Sequence, residues 1–409
     1  MCIRDRHGEI GRVDAMGWVE FALDIQESQT DESEPGSFPL FAKLGVRDLL
    51  VGNKDLGHAV YIAYQDGNQQ IHRLESRYAN GELITGDDSV PDETLVFKLD
   101  SLDRIFLEAI GSAGDAAAEA GDSLPLDPRE LPPFDISIKQ LSWDNWRLSR
   151  VGLRTEPTED GLAIKALTAH QHSMRLSGNG RWRVNDPSNL ALQSTTLDLT
   201  ASFDDIGRAI YALTGGQSFG EGNGEVAIAL EWQAPAYQPD LELLTGELLM
   251  TWRNGRILTV EPGAGRILGL FALQSIPRRL ALDFRDMVTT GLEYTTLNGS
   301  FSIANGRAST RGLMLSGPVA EVFIQGETDF VDELYDQTID VLPRVSGALP
   351  LLGVLSGGPA GGVTALVADS ILKGLGVNLD EIGRRRFTLV GPWSGPTWEP
   401  VDLRSDLVQ

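Results

Sequence analysis

The run Arg256-Ile-Leu-Thr-Val-Glu-Pro-Gly-Ala-Gly-Arg-Ile-Leu-Gly-Leu-Phe-Ala-Leu-Gln-Ser-Ile-Pro-Arg-Arg-Leu-Ala-Leu-Asp-Phe-Arg-Asp286 changes its hydrophobic period twice. A short strand ends at Glu261. Pro262 is placed for the first turn of a helix, where its missing N–H is not needed. The helix carries Ile267, Leu268, Leu270, Phe271, Leu273 and Ile276, with Arg266 as its only charge. Ile267, Leu270 and Phe271 form one stripe, and Leu268 and Leu273 widen it past the usual face of a surface helix. Pro277 closes it. Leu280, Leu282 and Phe284 then alternate with Ala281, Asp283 and Arg285 as a one-sided strand. A greasy helix thus lies between strands whose apolar side also needs cover.

The same alternation fills the chain on both sides. Just upstream, Val226, Ile228, Leu230 and Trp232 alternate with Ala227, Ala229 and Glu231. Near the start, Val19, Phe21, Leu23 and Ile25 share one face of a strand, followed by an acidic loop over 26–37. Further strands are expected over 46–51, 58–64, 69–75, 82–85, 94–99, 135–142, 146–154, 162–169, 174–184 and 190–199. Asp66-Gly67-Asn68 and Asn80-Gly81 carry hairpin-turn chemistry, since Gly and Asn tolerate positive φ. Short helices are expected over 102–110 and 206–213, with a glycine-rich loop over 215–224. Asp100–Gly111 and Phe203–Gly215 share a strand-then-helix pattern, which suggests a repeated unit. The stretch 111–133, rich in Ala, Asp, Glu and Pro, is the best linker.

Roughly twenty strands and four or five short helices make the fold mostly β. Twenty strands side by side would run on the order of 90–100 Å, and the helices are too few to cover both faces. Two solutions remain. Either two sheets pack as a sandwich, the usual answer for antiparallel sheets, or one sheet curls and leaves an apolar interior for something else.

A resemblance decides between them. Val260-Glu-Pro-Gly-Ala-Gly-Arg-Ile-Leu-Gly-Leu270, Pro277–Asp286 and Leu297-Asn-Gly-Ser-Phe-Ser-Ile-Ala-Asn-Gly306 resemble the C-terminal region of the YhdP branch of the AsmA-like envelope proteins. Leu315–Gly326 and Tyr335–Pro343 continue the likeness in the same order, and it is specific over roughly 241–400. It implies an elongated, curled antiparallel β-groove of many short strands. It also implies passage of phospholipid across the periplasm between inner and outer membranes, in support of the outer-membrane barrier. The chain would be the periplasmic portion of an inner-membrane-anchored protein. The segments expected on this reading are a groove segment over 7–111, a linker over 112–133, a second groove segment over 134–240, a C-terminal region with capping helices over 241–400 and a tail over 401–409. Met1–Arg6 reads as translated sequencing adapter and is set aside, so the true N-terminus and any anchor are expected to be missing.

The groove reading names its residues. Lipid would be met by Val226, Ile228, Leu230, Leu270, Phe271, Leu280, Leu282 and Phe284. Val345–Ala368 contains no charge, yet its glycines and Pro350 and Pro359 break it into two short apolar pieces rather than a membrane span. Leu351, Leu352, Val354 and Leu355 are the candidates for membrane contact, with Arg384, Arg385 and Arg386 beside them for lipid phosphates. The rival for the arginines is a solvated basic end balancing Asp380 and Glu381.

Composition narrows the alternatives. A formal net charge of −24 argues against nucleic acid, whose backbone needs Lys and Arg to release counterions. Cys2 is the single cysteine, so neither a disulfide nor a thiolate metal cage is available. Gly216-Gln-Ser-Phe-Gly220 matches the G-x-S-x-G pattern of serine hydrolases, but a helix is expected before the serine and all five histidines lie upstream. Gly263, Gly265 and Gly269 miss dinucleotide spacing. His170 and His172 are expected on one strand face without a third metal ligand. No enzyme activity, cofactor or metal is expected. The rival function is a sandwich-type envelope scaffold that binds protein or glycan.

Overall fold

The computed structural model describes residues 6–14, 41–51, 54–91, 93–109, 126–143, 146–239, 242–258, 291–344 and 384–401. The described residues are mostly strand, with twenty strands and two short helical segments. They divide into two compact units. One comprises Met1–Gln171, Arg175–Leu199 and Glu231–Asp240, and the other His172–Met174, Thr200–Leu230 and Leu241–Gln409.

The first unit builds a ladder from β1 (Arg6–Asp14), β2 (Ala42–Val51), β3 (Lys54–Asp55), β4 (Ala59–Asp66), β5 (Gln69–Ser76), β6 (Ala79–Thr85), β7 (Leu95–Asp103), β8 (Phe134–Trp143), β9 (Trp146–Thr158) and β10 (Gly161–Gln171). Past the short β3, each strand from β4 to β10 pairs with the next, and β4 also pairs with β2. Gly67 and Asn68 make the expected tight turn between β4 and β5, with Gly67 at a φ of 62°. Asn80-Gly81 does not turn the chain. The turn falls at Arg77 and Tyr78, and Asn80-Gly81 sits inside β6 as a shift in register. Gly81 is needed there because a Cβ would lie 2.6 Å from the Leu99 Cα on β7.

Two steps of this ladder are parallel, β1 with β2 and β7 with β8. The other pairings described for this ladder are antiparallel, as expected of the groove. Parallel neighbours need a crossover. After β7 it begins with a helical segment, α1, over residues 104–109. The expected linker therefore joins two strands that lie side by side, and its end is tied to them by the Leu95 N–H donating to the Pro133 carbonyl.

Completing the first unit's strands are β11 (Met174–Val184) and β12 (Gln193–Phe203), which run into the second unit at their ends. The second unit then holds α2 (Ile206–Thr214) and β13 (Phe219–Trp232) as far as Leu230. Its antiparallel ladder runs through β14 (Thr245–Ile257), β15 (Leu292–Ala304), β16 (Arg307–Ser316), β17 (Ala320–Asp329), β18 (Leu334–Pro343), β19 (Arg385–Pro392) and β20 (Thr397–Val401).

The strand-then-helix repeat exists in both units. Asp103 Oδ1 accepts from the Ile105 N–H at the start of α1, and Asp205 Oδ1 accepts from the Arg208 N–H at the start of α2. Each helix presses apolar residues inward: Phe106, Leu107 and Ala109 in α1, and Ile206, Ala209 and Ile210 in α2. The glycine-rich stretch is not all loop, because β13 already starts at Phe219. Gly224 is required for that strand, since a Cβ there would fall 2.2 Å from the Thr251 carbonyl oxygen of β14.

Candidate functional site

Register across the first unit lines up one row of apolar side chains. Leu83 of β6 faces Phe97 of β7, Phe97 faces Ile136 of β8, Ile136 faces Leu153 of β9, and Leu153 faces Leu167 of β10. All five are half-buried. A second row on the same face holds Leu99, Ile138 and Val151, and a third Leu95, Phe134, Thr155 and Ile164. With adjacent strands about 4.8 Å apart, the five-residue row is about 19 Å long. That is close to the hydrocarbon depth of one leaflet, half of about 30 Å.

The opposite face of the same strands is charged. Lys139 pairs with Asp100 at 2.6 Å, Arg154 with Asp135 at 3.3 Å and Lys165 with Glu156 at 3.1 Å. Successive side chains of a strand point to opposite faces, so a single sheet here presents charge on one side and hydrocarbon on the other. Helix α1 covers one end of the apolar side. Phe106 and Leu107 pack on Ala79, Leu102 and Ile138, and Phe106 and Ala109 join Val46, Leu49, Val51, Leu56 and Ala59.

In the second unit the apolar face is closed. Leu297, Leu313, Leu315, Val322, Ile324, Ile339 and Leu389 are at most 1% exposed. Val226, Ile228 and Leu230 of β13 differ, being half-buried and alternating with exposed Glu225, Ala227 and Ala229. Leu270, Phe271, Leu280, Leu282 and Phe284 lie outside the described residues, as do Leu351, Leu352, Val354 and Leu355.

The three arginines part company. Arg384 and Arg385 are exposed, whereas Arg386 reaches Asp340 of β18 through Nε at 2.8 Å and Nη2 at 3.1 Å. Asp340 has a side chain only 8% exposed, so this two-pronged pair belongs to the sheet.

Ser218 stands after α2 and before β13, the reverse of the strand-to-helix order a nucleophile elbow needs. It is fully buried. The histidines are also placed differently from expectation. His170 lies one residue before the end of β10, with Nδ1 3.3 Å from Arg150, but His172 lies in the turn that follows. Two residues across a turn do not share the face that strand spacing implied. Among the described residues, no group of three or more His, Cys, Asp and Glu side chains is arranged to hold a metal. No helix of the described residues is long and apolar enough to cross a membrane.

The fold and this surface define a class: a mostly β protein of many short strands whose sheet carries one apolar and one charged face. The chain belongs to the YhdP family, whose model, described as YhdP protein, matches residues 6–398. It is 23% identical over 349 residues to the intermembrane phospholipid transporter YhdP of Escherichia coli strain K12, a match covering 81% of this chain and 26% of that protein. The chain therefore spans about a quarter of the length of the curated relative it matches. No solved structure matches it.

Residue-by-residue reading gave the alternation of β13 but not the row from Leu83 to Leu167. Each strand showed its alternation. What was missing was the register that joins five strands into a track.

Proposed function

We propose that this chain is a segment of a phospholipid conduit between the inner and outer membranes, and that it works without catalysis. Acyl chains lie along an elongated, curled apolar groove while head groups stay in water. The setting is the periplasm, in a longer inner-membrane-anchored protein that supports the outer-membrane barrier. The name of the Escherichia coli relative supports the substrate class. The observation that carries the reading is the half-exposed row Leu83, Phe97, Ile136, Leu153 and Leu167. Fully burying a large apolar side chain is worth about 1.5–3 kcal/mol, so leaving five of them partly exposed forfeits at most about 5 kcal/mol. A sheet serving only as a scaffold gains nothing from that exposure. A surface that hosts a passing chain requires it.

The reading extends to Val226, Ile228 and Leu230, and to Leu270, Phe271, Leu280, Leu282 and Phe284. Photo-crosslinking amino acids at Ile136, Leu153, Val226, Ile228 and Leu230 are expected to capture lipid in cells. Those at Ser137, Lys139, Ala227 and Ala229 are not. Equal capture at both sets, or at neither, would sink the one-sided groove. The closed face of the second unit favours a second reading for that part, a scaffold that buries its own core. It predicts no lipid at Leu313 or Ile324 even where Leu153 is labelled.

A further inference from the structure

The apolar row of the first unit does not end in hydrocarbon. Beyond Leu83, the next residue in register is His72 of β5, and Tyr61 of β4 sits diagonally from it. The Tyr61 hydroxyl and His72 Nδ1 are 2.6 Å apart, and both residues are half-buried. Their rings stack with centroids 6.1 Å apart. The other residues on this face of β4, β5 and β6 are Ala59, Ala63, Gln65, Gln70, Leu74, Ser76, Ala79, Gly81, Leu83 and Thr85, none of them charged. Helix α1 reaches the edge of this area, where Phe106 and Leu74 belong to one cluster, and its charges are spent on each other. Glu108 is paired with Arg104 and with Lys54. A polar pair with no counter-ion among the described residues of this face thus closes an acyl-length apolar track.

We propose that Tyr61 and His72 form the head-group end of that track. The phosphate of one amphiphile accepts a hydrogen bond from His72 Nε2 while its chain lies along Leu83, Phe97, Ile136, Leu153 and Leu167. The assignment rests on the groove reading. Its geometry follows from tautomer chemistry: with the tyrosine hydroxyl donating to Nδ1, the neutral imidazole keeps its proton on Nε2. Burial lowers the His72 pKa, so the ring is neutral at pH 7 in the free protein. A bound phosphate favours the imidazolium and raises that pKa. By linkage, affinity for the anion must then rise as pH falls through the pKa of the complex.

The test uses the full 409-residue chain and dodecyl phosphate below its micelle concentration, with dodecanol and inorganic phosphate as separate arms. NMR follows the His72 ring through a pH titration, and calorimetry gives affinity at each pH. Dodecyl phosphate is expected to raise the His72 pKa by about one unit and to bind about tenfold tighter at low pH than at high pH. His72→Phe, which keeps an aromatic ring there, should bind at high pH and lose the pH dependence beyond that of the probe's own second ionisation at about pH 6. Tyr61→Phe should weaken the shift. If dodecyl phosphate binds while the His72 pKa stays fixed, or if His72→Phe keeps the pH dependence, the pair is only structural and the groove reading survives. Inorganic phosphate shifting His72 equally would show an anion site unrelated to the track. Failure of both dodecyl compounds to bind would overturn the groove and the head-group site together.

Discussion

Asp329 closes the turn between β17 and β18 with an unusually complete set of donors. The backbone N–H groups of Asp332 and Val331 each donate to its Oδ1 at 2.9 Å, and Arg307 Nε donates to Oδ2 at 2.9 Å. The Asp332 N–H first, then Arg307, hold its carboxyl below the usual carboxylate range. A depressed pKa in the folded state means stability that is present above the unfolded pKa and lost as pH falls through the folded one. Asp329→Asn should therefore cost most near neutral pH, with the difference from the parent shrinking between about pH 5 and 2. Urea midpoints measure it; a constant gap across that window would remove the carboxylate from the account. Ser218 makes the opposite case. Its Oγ is buried and has no hydrogen-bond partner among the described residues, so Ser218→Ala gives up no bond. The change should shift unfolding by less than about 1 kcal/mol and leave cellular function intact. Loss of function at normal abundance would bring the nucleophile back.

At the scale of elements, the two units use identical strand chemistry for different ends. Leu313 on β16 is fully buried against its neighbours, while Leu153 on β9 stays partly exposed. Leu313→Ala is expected to cost about 2–5 kcal/mol, because a cavity is added to the lost transfer energy. Leu153→Ala should cost about half as much or less, since water already touches the side chain. Equal costs in denaturant unfolding would mean that the row in the first unit is packed core, against the open-face reading. Helix α2 supplies a smaller test. Asp205 caps it and Gly215 closes it in the left-handed conformation, with the Gly215 N–H donating to the Tyr211 carbonyl. Asp205→Ala should lower stability by about 1 kcal/mol. That loss belongs to the helix and should leave lipid capture at Val226 unchanged.

For the whole molecule, the proposed contact of an acidic chain with an anionic bilayer has a repulsion to overcome. The uncharged stretch Val345–Ala368 lies outside the described residues, and our proposal for it rests on sequence. Leu351, Leu352, Val354 and Leu355 enter the interfacial region, with Arg384 and Arg385 to meet phosphates while Arg386 stays with Asp340. Each of the four aliphatic side chains is worth about 1.5–3 kcal/mol when fully buried, enough for partial insertion to outweigh the repulsion of a net charge of −24. The fragment should co-float with liposomes, and Leu352→Asp with Leu355→Asp should abolish flotation without unfolding the sheet. A wild-type fragment left at the bottom of the gradient at low and moderate salt would end the idea of membrane contact here and leave a capping role.

Alternation along a strand is a local property, so Val226, Ile228 and Leu230 could be assigned to one face from the sequence alone. The same holds for the Gly67 turn, the two short helices and the mostly β class. What lay beyond local reading was anything that depends on a partner strand. Asn80-Gly81 has turn chemistry, but the close approach of β7 makes it a bulge. The parallel step from β7 to β8 pairs two strands across a crossover, and His172 left its expected face because β10 ends at Gln171. Leu153 and Leu313 read alike as apolar residues on alternating strands. Tertiary structure alone decided that one is sealed and the other open, because burial is fixed by residues far away in the chain that come to lie over it.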